Sequence, residues 1–324
     1  MSNAVKSVSA LGFPFKTPDP FLFCVYHKDN YPAGDEKMQA PRMGNGADFD
    51  WNQPYRMYHG DRIPGFPQHP HRGFETLTAT LEGLVDHSDS SGCAGRYGQG
   101  DLQWMTAGRG VVHGEMFPLV NKDKPNTLRL FQIWLNLPAK DKMVPPAFVM
   151  HWAEQVPKLT RDGVNLIVFA GEFEDKKGLP PPQHSWASNA ANDVTVWLIE
   201  LEPGSSFVIP PSKIGSEANR ALYFVEGTSI DVCGKSVTAK STIMLDASKE
   251  ASLKGRPIGE PVVQHGPFVM NTQAEIQQAF MDYRKTEFGG WPWPQDAMVF
   301  PRDKGRFALF KDKEETPPSQ CSSS

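Results

Sequence analysis

Four side chains that can bind a metal ion occur as two closely spaced pairs. His69 and His71 lie two positions apart in the segment HPHRGFE, and His113 and Glu115 lie two positions apart in GRGVVHGE. Alternate side chains of a β-strand point to the same face, so each pair can reach one point if its segment is a strand. Three imidazoles and one carboxylate from two strands predict a mononuclear metal site. Four protein ligands leave two positions of an octahedron open, where substrates can bind.

The types of ligand restrict the metal without fixing it. Imidazole and carboxylate ligands without a thiolate suit Fe(II), Mn(II), Ni(II), Zn(II) or Cu(II). Zinc would give a site that cannot change its oxidation state. Gly108 and Gly110, which precede the second pair, permit the tight turn that would deliver it.

The residues around these ligands have alternative interpretations. Glu75 lies four positions beyond the first pair and is interpreted as structural or as a residue that orients a ligand imidazole. Phe66, Met57 and Trp104 flank the ligand segments, either as core residues or as the lining of a pocket for a flat aromatic substrate. Arg72 is expected at the surface or in an ion pair. Six histidines have no partner motif and are interpreted as ordinary: His27, His59, His87, His151, His184 and His265.

The elements that would position the ligands are predicted to be strands. The 29 prolines and 28 glycines fall largely between short apolar runs, which is typical of a β-sandwich or β-barrel. Strands are predicted at residues 21–26, 75–81, 102–105, 128–135, 166–170, 194–201, 206–209, 221–225, 229–233 and 242–245.

The two halves of the chain are weakly similar. A Glu-Gly turn follows a strand-like segment at residues 82–83 and again at 226–227, an offset of 144 residues. At that offset, Lys213 and Gly215 occupy the positions of the first ligand pair. We therefore predict an all-β protein of two tandem barrels, of which only the first holds this metal.

Domain boundaries follow from the clusters of proline and charge. Residues 1–145 are predicted to form the barrel with the metal site, and residues 146–290 a second, degenerate barrel without metal ligands. Residues 291–324 form an extension whose polar tail, from residue 311, is expected to be disordered. A capping box at residues 272–275 begins a short C-terminal helix, which the glycines at 289–290 would end.

Charge and composition exclude several classes of protein. The net charge of −4 supplies no global basic field, so direct binding of nucleic acid is not expected. We see no secretory signal and no apolar stretch of membrane-spanning length. The four cysteines show no zinc-ribbon spacing and are interpreted as free thiols of a reducing compartment. An intracellular monomer, cytoplasmic or nuclear, is expected.

Three longer segments carry a family resemblance. Gln68–Leu77 (QHPHRGFETL), Gly100–Met116 (GDLQWMTAGRGVVHGEM) and Ile258–Glu275 (IGEPVVQHGPFVMNTQAE) resemble the pirin family of the cupin superfamily, in the expected order. The resemblance covers roughly residues 10–285. Pirin-like proteins often read HAEM where this chain reads HGEM. The chain from Thr286 onward has no counterpart that we can place.

The resemblance implies a bicupin with an iron site in the N-terminal barrel. The family's ligands fall on His69, His71, His113 and Glu115, which favours Fe(II) over the other metals. Some members are similar to quercetinases, which are flavonol dioxygenases, and others are iron-dependent co-regulators of transcription factors.

Three functional hypotheses follow from different classes of protein. The first is an iron-dependent dioxygenase acting on a flavonol-like substrate and O2, with Glu115 as general base. The second is a redox-responsive protein whose affinity for a transcription-regulating partner depends on the oxidation state of the metal. The third is a barrel that the metal merely stabilises.

Overall fold

The chain is built almost entirely of short strands. A computed structural model describes residues 4–43, 53–250 and 260–319. The described strands begin with β1 (Val5–Ala10), β2 (Phe21–Tyr31), β3 (Gly65–His71), β4 (Phe74–Glu82), β5 (Leu84–Asp89), β6 (Ala94–Gly98), β7 (Asp101–Thr106), β8 (Val111–Met116), β9 (Asn126–Asn136) and β10 (Ala147–His151). They continue with β11 (Lys158–Arg161), β12 (Val164–Ala170), β13 (Glu172–Phe173), β14 (Lys176–Lys177), β15 (Val196–Leu201), β16 (Ala221–Phe224), β17 (Ser229–Val232), β18 (Lys235–Thr238) and β19 (Ser241–Leu245).

The last part of the chain contains the α-helix that the structure describes. Its elements are β20 (Val263–His265), β21 (Phe268–Met270), α1 (Gln273–Thr286), β22 (Phe307–Phe310) and β23 (Lys313–Glu315). Short 3-10 helices lie at Ala139–Asp141, Trp186–Ser188, Ala190–Asn192, Gly215–Glu217 and Glu287–Gly289.

The chain divides into two compact units that are discontinuous in sequence. The ligand-bearing unit consists of Tyr26–Gln132, Ala139–Glu154 and Pro261–Ser324. The second unit consists of Met1–Val25, Ile133–Pro138 and Gln155–Glu260. The helix α1 and the C-terminal extension therefore group with the ligand-bearing unit, whereas the predicted ranges placed them after it. The predicted domain boundaries after residues 145 and 290 stay a prediction.

Two large sheets and the small hairpin β20-β21 belong to the ligand-bearing unit. One large sheet has the strand order β10-β7-β4-β9-β2 and the other the order β23-β22-β6-β5-β8-β3. Side chains from both sheets, including Val85, Tyr97, Met105, Val111 and Leu128, meet in one buried core. Burial of such a core is the main favourable contribution to folding. The core therefore fixes the positions of the strands that carry the potential ligands.

The strands β3 and β8 pair antiparallel with one irregularity. Phe66 lies opposite Glu115, but the next aligned pair is His69 opposite His113. Two residues of β3, Pro67 and Gln68, therefore face the single residue Gly114 of β8, which is a β-bulge. Because cross-strand partners share a face, the bulge turns His69 to the same face as His113. In an unbroken register His69 would pair with Val112 and point to the opposite face.

The second unit is assembled from smaller sheets. They have the orders β1-β19-β16 and β11-β12-β15, with the hairpins β13-β14 and β17-β18. One buried cluster contains Val232, Val237, Ile243 and Leu245, and another contains Leu166, Val168, Phe173, Trp197 and Ile209. The sequence contains no histidine between His184 and His265.

The predicted helix is present with its capping box. The side chain of Thr272 accepts from the amide of Glu275, and the carboxylate of Glu275 accepts from the amide of Thr272. The helix ends at Thr286, where Glu287 takes a left-handed conformation, so it stops before the predicted glycine pair. Ile276 and Ala279 are its buried residues and pack against Phe268 and Met270.

All but one of the predicted strands match observed ones. Residues 206–209 form no strand, so that prediction is wrong. Pro210 and Pro211 follow directly, and proline supplies no amide donor for a sheet. The segment is instead tied through the carbonyl of Pro210, which accepts from the guanidinium of Arg220 at 2.7 Å.

The prediction of a disordered tail is wrong for Lys313–Glu315. These residues form β23, which pairs with β22, and β22 pairs in turn with β6. Phe307 and Ala308 of β22 are buried, so packing holds β22 in place. β23 is then held by its backbone hydrogen bonds to β22, which a hairpin alone in water would not maintain. Residues 320–324 of the predicted tail lie outside the described residues.

Two other expectations concern membrane spans and cysteines. Within residues 4–43, 53–250 and 260–319, no helix has the length and apolar character needed to cross a bilayer. Cys24, Cys93 and Cys233 are free thiols, and Cys321 lies outside the described residues.

Candidate metal centre

Three of the predicted ligands converge in the ligand-bearing unit. His69 and His71 belong to β3, and His113 belongs to β8. One ligand nitrogen of each residue lies within 4.8 Å of those of the other two. His71 and His113 are buried, with 4% and 0% exposure, and His69 is half-buried. The three imidazoles therefore face one point from two adjacent strands.

Hydrogen bonds define which nitrogen of each β3 histidine faces that point. Nδ1 of His69 lies 2.8 Å from the carbonyl of Pro67, and Nδ1 of His71 lies 3.4 Å from the carbonyl of Pro267. A carbonyl can only accept, so each Nδ1 carries the proton and each Nε2 carries a lone pair. The two Nε2 atoms are 3.1 Å apart. Two lone pairs at this distance repel each other unless a cation binds both.

His113 gives a second indication of a metal ion. Both of its ring nitrogens are buried, and neither has a hydrogen-bond partner within the described residues. A buried polar atom without a partner is costly, and metal coordination would remove that cost. Burial lowers the pKa of His69 to about 4 and holds the pKa values of His71 and His113 well below the usual range. All three rings are thus neutral at pH 7, the form that binds metals.

Glu115 lies on the same strand but has other partners. Its Oε1 accepts from the hydroxyls of Thr78 at 3.0 Å and Tyr97 at 3.2 Å, and its Oε2 accepts from the amide of Gln132 at 2.7 Å. The group of ligands within mutual reach contains only the three histidines among the described residues. Burial raises the pKa of Glu115, against the opposing effects of His87 and these hydrogen bonds. Its assignment as fourth ligand stays a prediction.

Two family models match this chain. The Pirin family model matches residues 16–135, and the model of the Pirin C-terminal cupin domain matches residues 196–289. A pirin-like protein of Solanum lycopersicum is 39% identical over 236 residues, which cover 68% of this chain and 75% of that protein. The chain belongs to the pirin family. Pirin of Homo sapiens is 35% identical over 249 residues, covering 72% of this chain and 80% of that protein.

A solved structure gives the same fold assignment. The crystal structure of a quercetin 2,3-dioxygenase from Acinetobacter baumannii matches with a TM-score of 0.65 and 27% identity. The match covers 89% of this chain and 96% of that chain. Two cupin domains of mostly strands with a short C-terminal helix confirm the predicted all-β bicupin of the pirin family.

The residues predicted to flank the candidate metal site lie in different surroundings. Phe66 is half-buried, with its ring centroid 6.3 Å from that of His69. Met57 and Trp104 are fully buried, and Met57 belongs to the apolar core. Glu75 is buried on β4 and accepts from the hydroxyl of Thr106 at 2.7 Å. Of the three pocket candidates, only Phe66 is partly accessible, and its ring lies near that of a predicted ligand.

Arg72 forms an ion pair next to the ligand strand. The residue is 5% exposed, and its guanidinium lies 2.7 Å from the carboxylate of Asp282 on α1. It also covers the ring of Phe288 at 4.5 Å and donates to the carbonyl of Arg109 at 2.6 Å. Of the two expectations for Arg72, the surface position is wrong, because the helix α1 covers this side chain.

His87 was interpreted from the sequence as an ordinary histidine without a partner motif, but it lies next to the predicted ligands. It lies fully buried on β5, directly opposite Glu115 of β8, and its ring centroid is 5.5 Å from that of His113. Nε2 of His87 lies 3.2 Å from the carboxylate of Asp89. His87 and Asp89 repeat the two-position spacing of the ligands. That spacing was the signal in the sequence that could have placed His87 on the ligand face.

Proposed function

We propose that the chain is a metal-dependent dioxygenase of the quercetinase type. His69, His71 and His113, with Glu115, would hold iron, and the substrates would be a flavonol-like compound and O2. The convergence of three neutral imidazoles, two of them buried and one half-buried, beside a buried carboxylate carries this proposal. The similarity to a quercetin 2,3-dioxygenase supports the choice of substrate.

The three histidines fit a metal ion of intermediate softness. Their facing lone pairs and the unpartnered nitrogens of His113 favour a divalent cation, and nitrogen ligands with a nearby carboxylate suit iron. When bound, iron would supply a Lewis acid for a substrate hydroxyl and a redox centre for O2. The carbonyl of Pro67 holds the ring of His69 in the orientation that points Nε2 at the ion.

Glu115 is suited to hold a proton beside the metal. Burial raises its pKa, and a base whose pKa approaches the working pH transfers protons more effectively. Thr78, Tyr97 and Gln132 fix both carboxylate oxygens, so the carboxylate does not have to reorganise during reaction. We propose that it accepts the proton of the substrate hydroxyl, in addition to its predicted part as a ligand.

The partly exposed side of the site suits a flat aromatic substrate. His69 and Phe66 are both half-buried, whereas His71 and His113 are enclosed. A planar substrate that approaches beside His69 would contact the ring of Phe66, and aromatic pairs gain about 0.5–1.5 kcal/mol beyond area burial.

Oxygen uptake with quercetin tests the proposal. The protein is purified without oxygen, loaded with Fe(II), analysed for metal content and then mixed with quercetin and O2. We expect stoichiometric iron and uptake in the wild type. His113→Ala should lose the metal and the uptake together. Glu115→Gln should retain the fold but reduce uptake by about 10²–10⁴-fold, the usual contribution of a general base.

A histidine remote from the site serves as the control. His184 is exposed and belongs to the second unit, so His184→Ala should bind iron and consume oxygen as the wild type does. Iron-loaded wild type without uptake would contradict the dioxygenase proposal and favour a redox-responsive binding protein. Full uptake by Glu115→Gln would remove Glu115 from the mechanism.

A further inference from the structure

The C-terminal extension contacts the strands that carry the metal ligands. Residues 291–310, here called the strap, lie beyond residue 289, where the matched family models end. The strap ends in β22, which adds to the edge of β6 in the ligand-bearing sheet. Before reaching β6 it contacts β3, β8 and β5, the three strands of that sheet that surround the site.

The contact with β3 occurs at the bulge. Pro67 and Gln68 face only Gly114, and a bulge leaves an amide without its partner in the ladder. The amide of Gln68 donates to the carbonyl of Asp296 at 2.9 Å. The side-chain amide of Gln68 donates to the carboxylate of Asp296 at 3.2 Å. The strap thus provides the hydrogen-bond partner that β8 cannot offer.

The contact with β8 lies between two predicted ligands. A methyl group built on Gly114 would lie 3.6 Å from Cη2 of Trp291, so the indole rests against the backbone between His113 and Glu115. The indole nitrogen of Trp291 donates to the carbonyl of Gln295 at 2.8 Å. This bond folds the strap onto itself and holds the ring in place.

The contacts with β5 continue along the same sheet. The indole nitrogen of Trp293 donates to the carbonyl of Asp89 at 2.8 Å, and the side chain of Asp89 in turn lies beside His87. The amide of Phe300 donates to the carboxylate of Asp86 at 2.8 Å. The strap therefore fixes the backbone of three neighbouring strands at positions adjacent to the site.

We propose that the strap holds the bulge of β3, and through it the register that brings His69 to the metal. Trp291 and Asp296 are positioning residues, which act on the ligands through Gly114 and Gln68. Gln68 and Gly114 are sequence neighbours of ligands and alternate with them, so the strap supports the ligand face from behind. Loss of a partner that orients metal ligands typically lowers affinity by about 10–100-fold.

Two small changes in the strap test this proposal. Trp291→Ala removes the ring that contacts Gly114, and Asp296→Ala removes the carboxylate bound by Gln68. Lys313→Ala is the control in the same extension, because Lys313 is exposed and its ammonium pairs with the carboxylate of Glu315 on the same strand, β23. Trp186→Ala controls for the loss of an indole and lies in the second unit.

The affinity for Co2+ and hydrogen exchange are measured for each variant. Co2+ gives a visible spectrum that reports coordination geometry. We expect Trp291→Ala to weaken Co2+ binding by about 10-fold and to alter that spectrum. The amides of β3 and β8 should exchange faster in the metal-free variant than in the metal-free wild type, and both controls should match the wild type.

The outcomes separate this inference from the proposed function. It rests on the metal site of that proposal, but neither measurement requires quercetin or turnover. A wild type that binds Co2+ without oxidising quercetin would leave the strap inference intact. The strap inference would be overturned if both strap variants bound Co2+ with the affinity of the wild type and the amides of their β3 and β8 exchanged at the wild-type rate. If the wild type bound no Co2+, the exchange comparison alone would decide.

Discussion

Arg96 binds both carboxylate oxygens of Asp86 across the neighbouring strands β6 and β5. Both nitrogen to oxygen distances are 2.7 Å, and the side chains are 1% and 0% exposed. The remaining donors of Arg96 go to the carbonyls of Phe300, Pro301 and Lys304. This buried ion pair therefore joins the ligand-bearing sheet to the strap.

Removing one partner of this pair should be more harmful than replacing both. Arg96→Met would leave the carboxylate of Asp86 buried without its cation, which typically costs about 3–5 kcal/mol. The double variant Asp86→Asn/Arg96→Met leaves no uncompensated charge and should lose less stability. Urea denaturation of the two variants and the wild type measures both free energies of unfolding. Equal stability of the single and double variants would contradict this account.

Two glycines near the ligands should respond in opposite ways to alanine. Gly110 has a φ of +133°, and a methyl group there would lie 2.6 Å from the ring of Phe288. Gly110→Ala should therefore destabilise the fold by about 2–4 kcal/mol, from strain and from overpacking. Gly114 has an extended backbone on β8, and its nearest neighbour would be 3.5 Å from the methyl group. Gly114→Ala should stabilise by about 0.4–1 kcal/mol, because it restricts the unfolded chain.

Thermal unfolding and metal content distinguish the two variants. Gly114→Ala should melt slightly higher than the wild type and should retain the metal, because both neighbouring ligands stay in place. A lower melting temperature for Gly114→Ala would show that the space beside Trp291 is too small. A Gly110→Ala variant as stable as the wild type would contradict the close approach of Phe288.

Stability should fall in mild acid because of a buried histidine outside the metal site. Burial, followed by the charge of Arg56, lowers the pKa of His27 from 6.5 to about 3. Nδ1 of His27 lies 2.6 Å from the hydroxyl of Tyr58, and that hydroxyl donates to Asp29 at 2.8 Å. His27 is therefore the donor to Tyr58 and remains neutral in the folded state.

The pH window follows from these two pKa values. Below pH 6.5 the unfolded chain protonates His27 and the folded chain does not, so the unfolded state binds more protons. As far as His27 is concerned, the free energy of unfolding keeps its full value above pH 6.5. It decreases as the pH falls toward 3, by up to about 1.4 kcal/mol per pH unit, because only the unfolded chain binds the proton at His27. His27→Phe should be less stable than the wild type at pH 7.5, and the difference should narrow at pH 5. A difference that does not change with pH would show that His27 is not responsible.

The strand elements could be predicted from the sequence because their signals are local. Alternation, turn residues and the capping box at Thr272 depend on neighbours within a few positions, and the two-position spacing of the ligands indicated a shared face. Residues 206–209 were wrongly predicted to be a strand, because an apolar run has the same sequence pattern whether or not a neighbouring strand pairs with it. The prolines that follow were the available counter-signal.

The hydrogen bonds of Glu115 could not be predicted from the sequence. Its partners Thr78, Tyr97 and Gln132 lie on three other strands, and only the register of the sheets brings them together. The strap was missed for the same reason, because Trp291 and Asp296 lie more than 170 positions from Gly114 and Gln68. Such pairings depend on tertiary structure and leave no periodic pattern in the chain.

The bulge of β3 makes the site depend on strand register as well as on residue identity. Pro67 and Gln68 together occupy the space opposite one residue of β8. Removing the bulge at the same chain length would put His69 opposite Val112 and turn it away from His113, although every ligand of the motif would still be present. Deleting one of the two residues would instead let His69 face His113 in an unbroken register. Relatives one residue shorter between Phe66 and His69 are therefore expected to keep the centre without a bulge, so the spacing upstream of the histidines is not a criterion for recognising it.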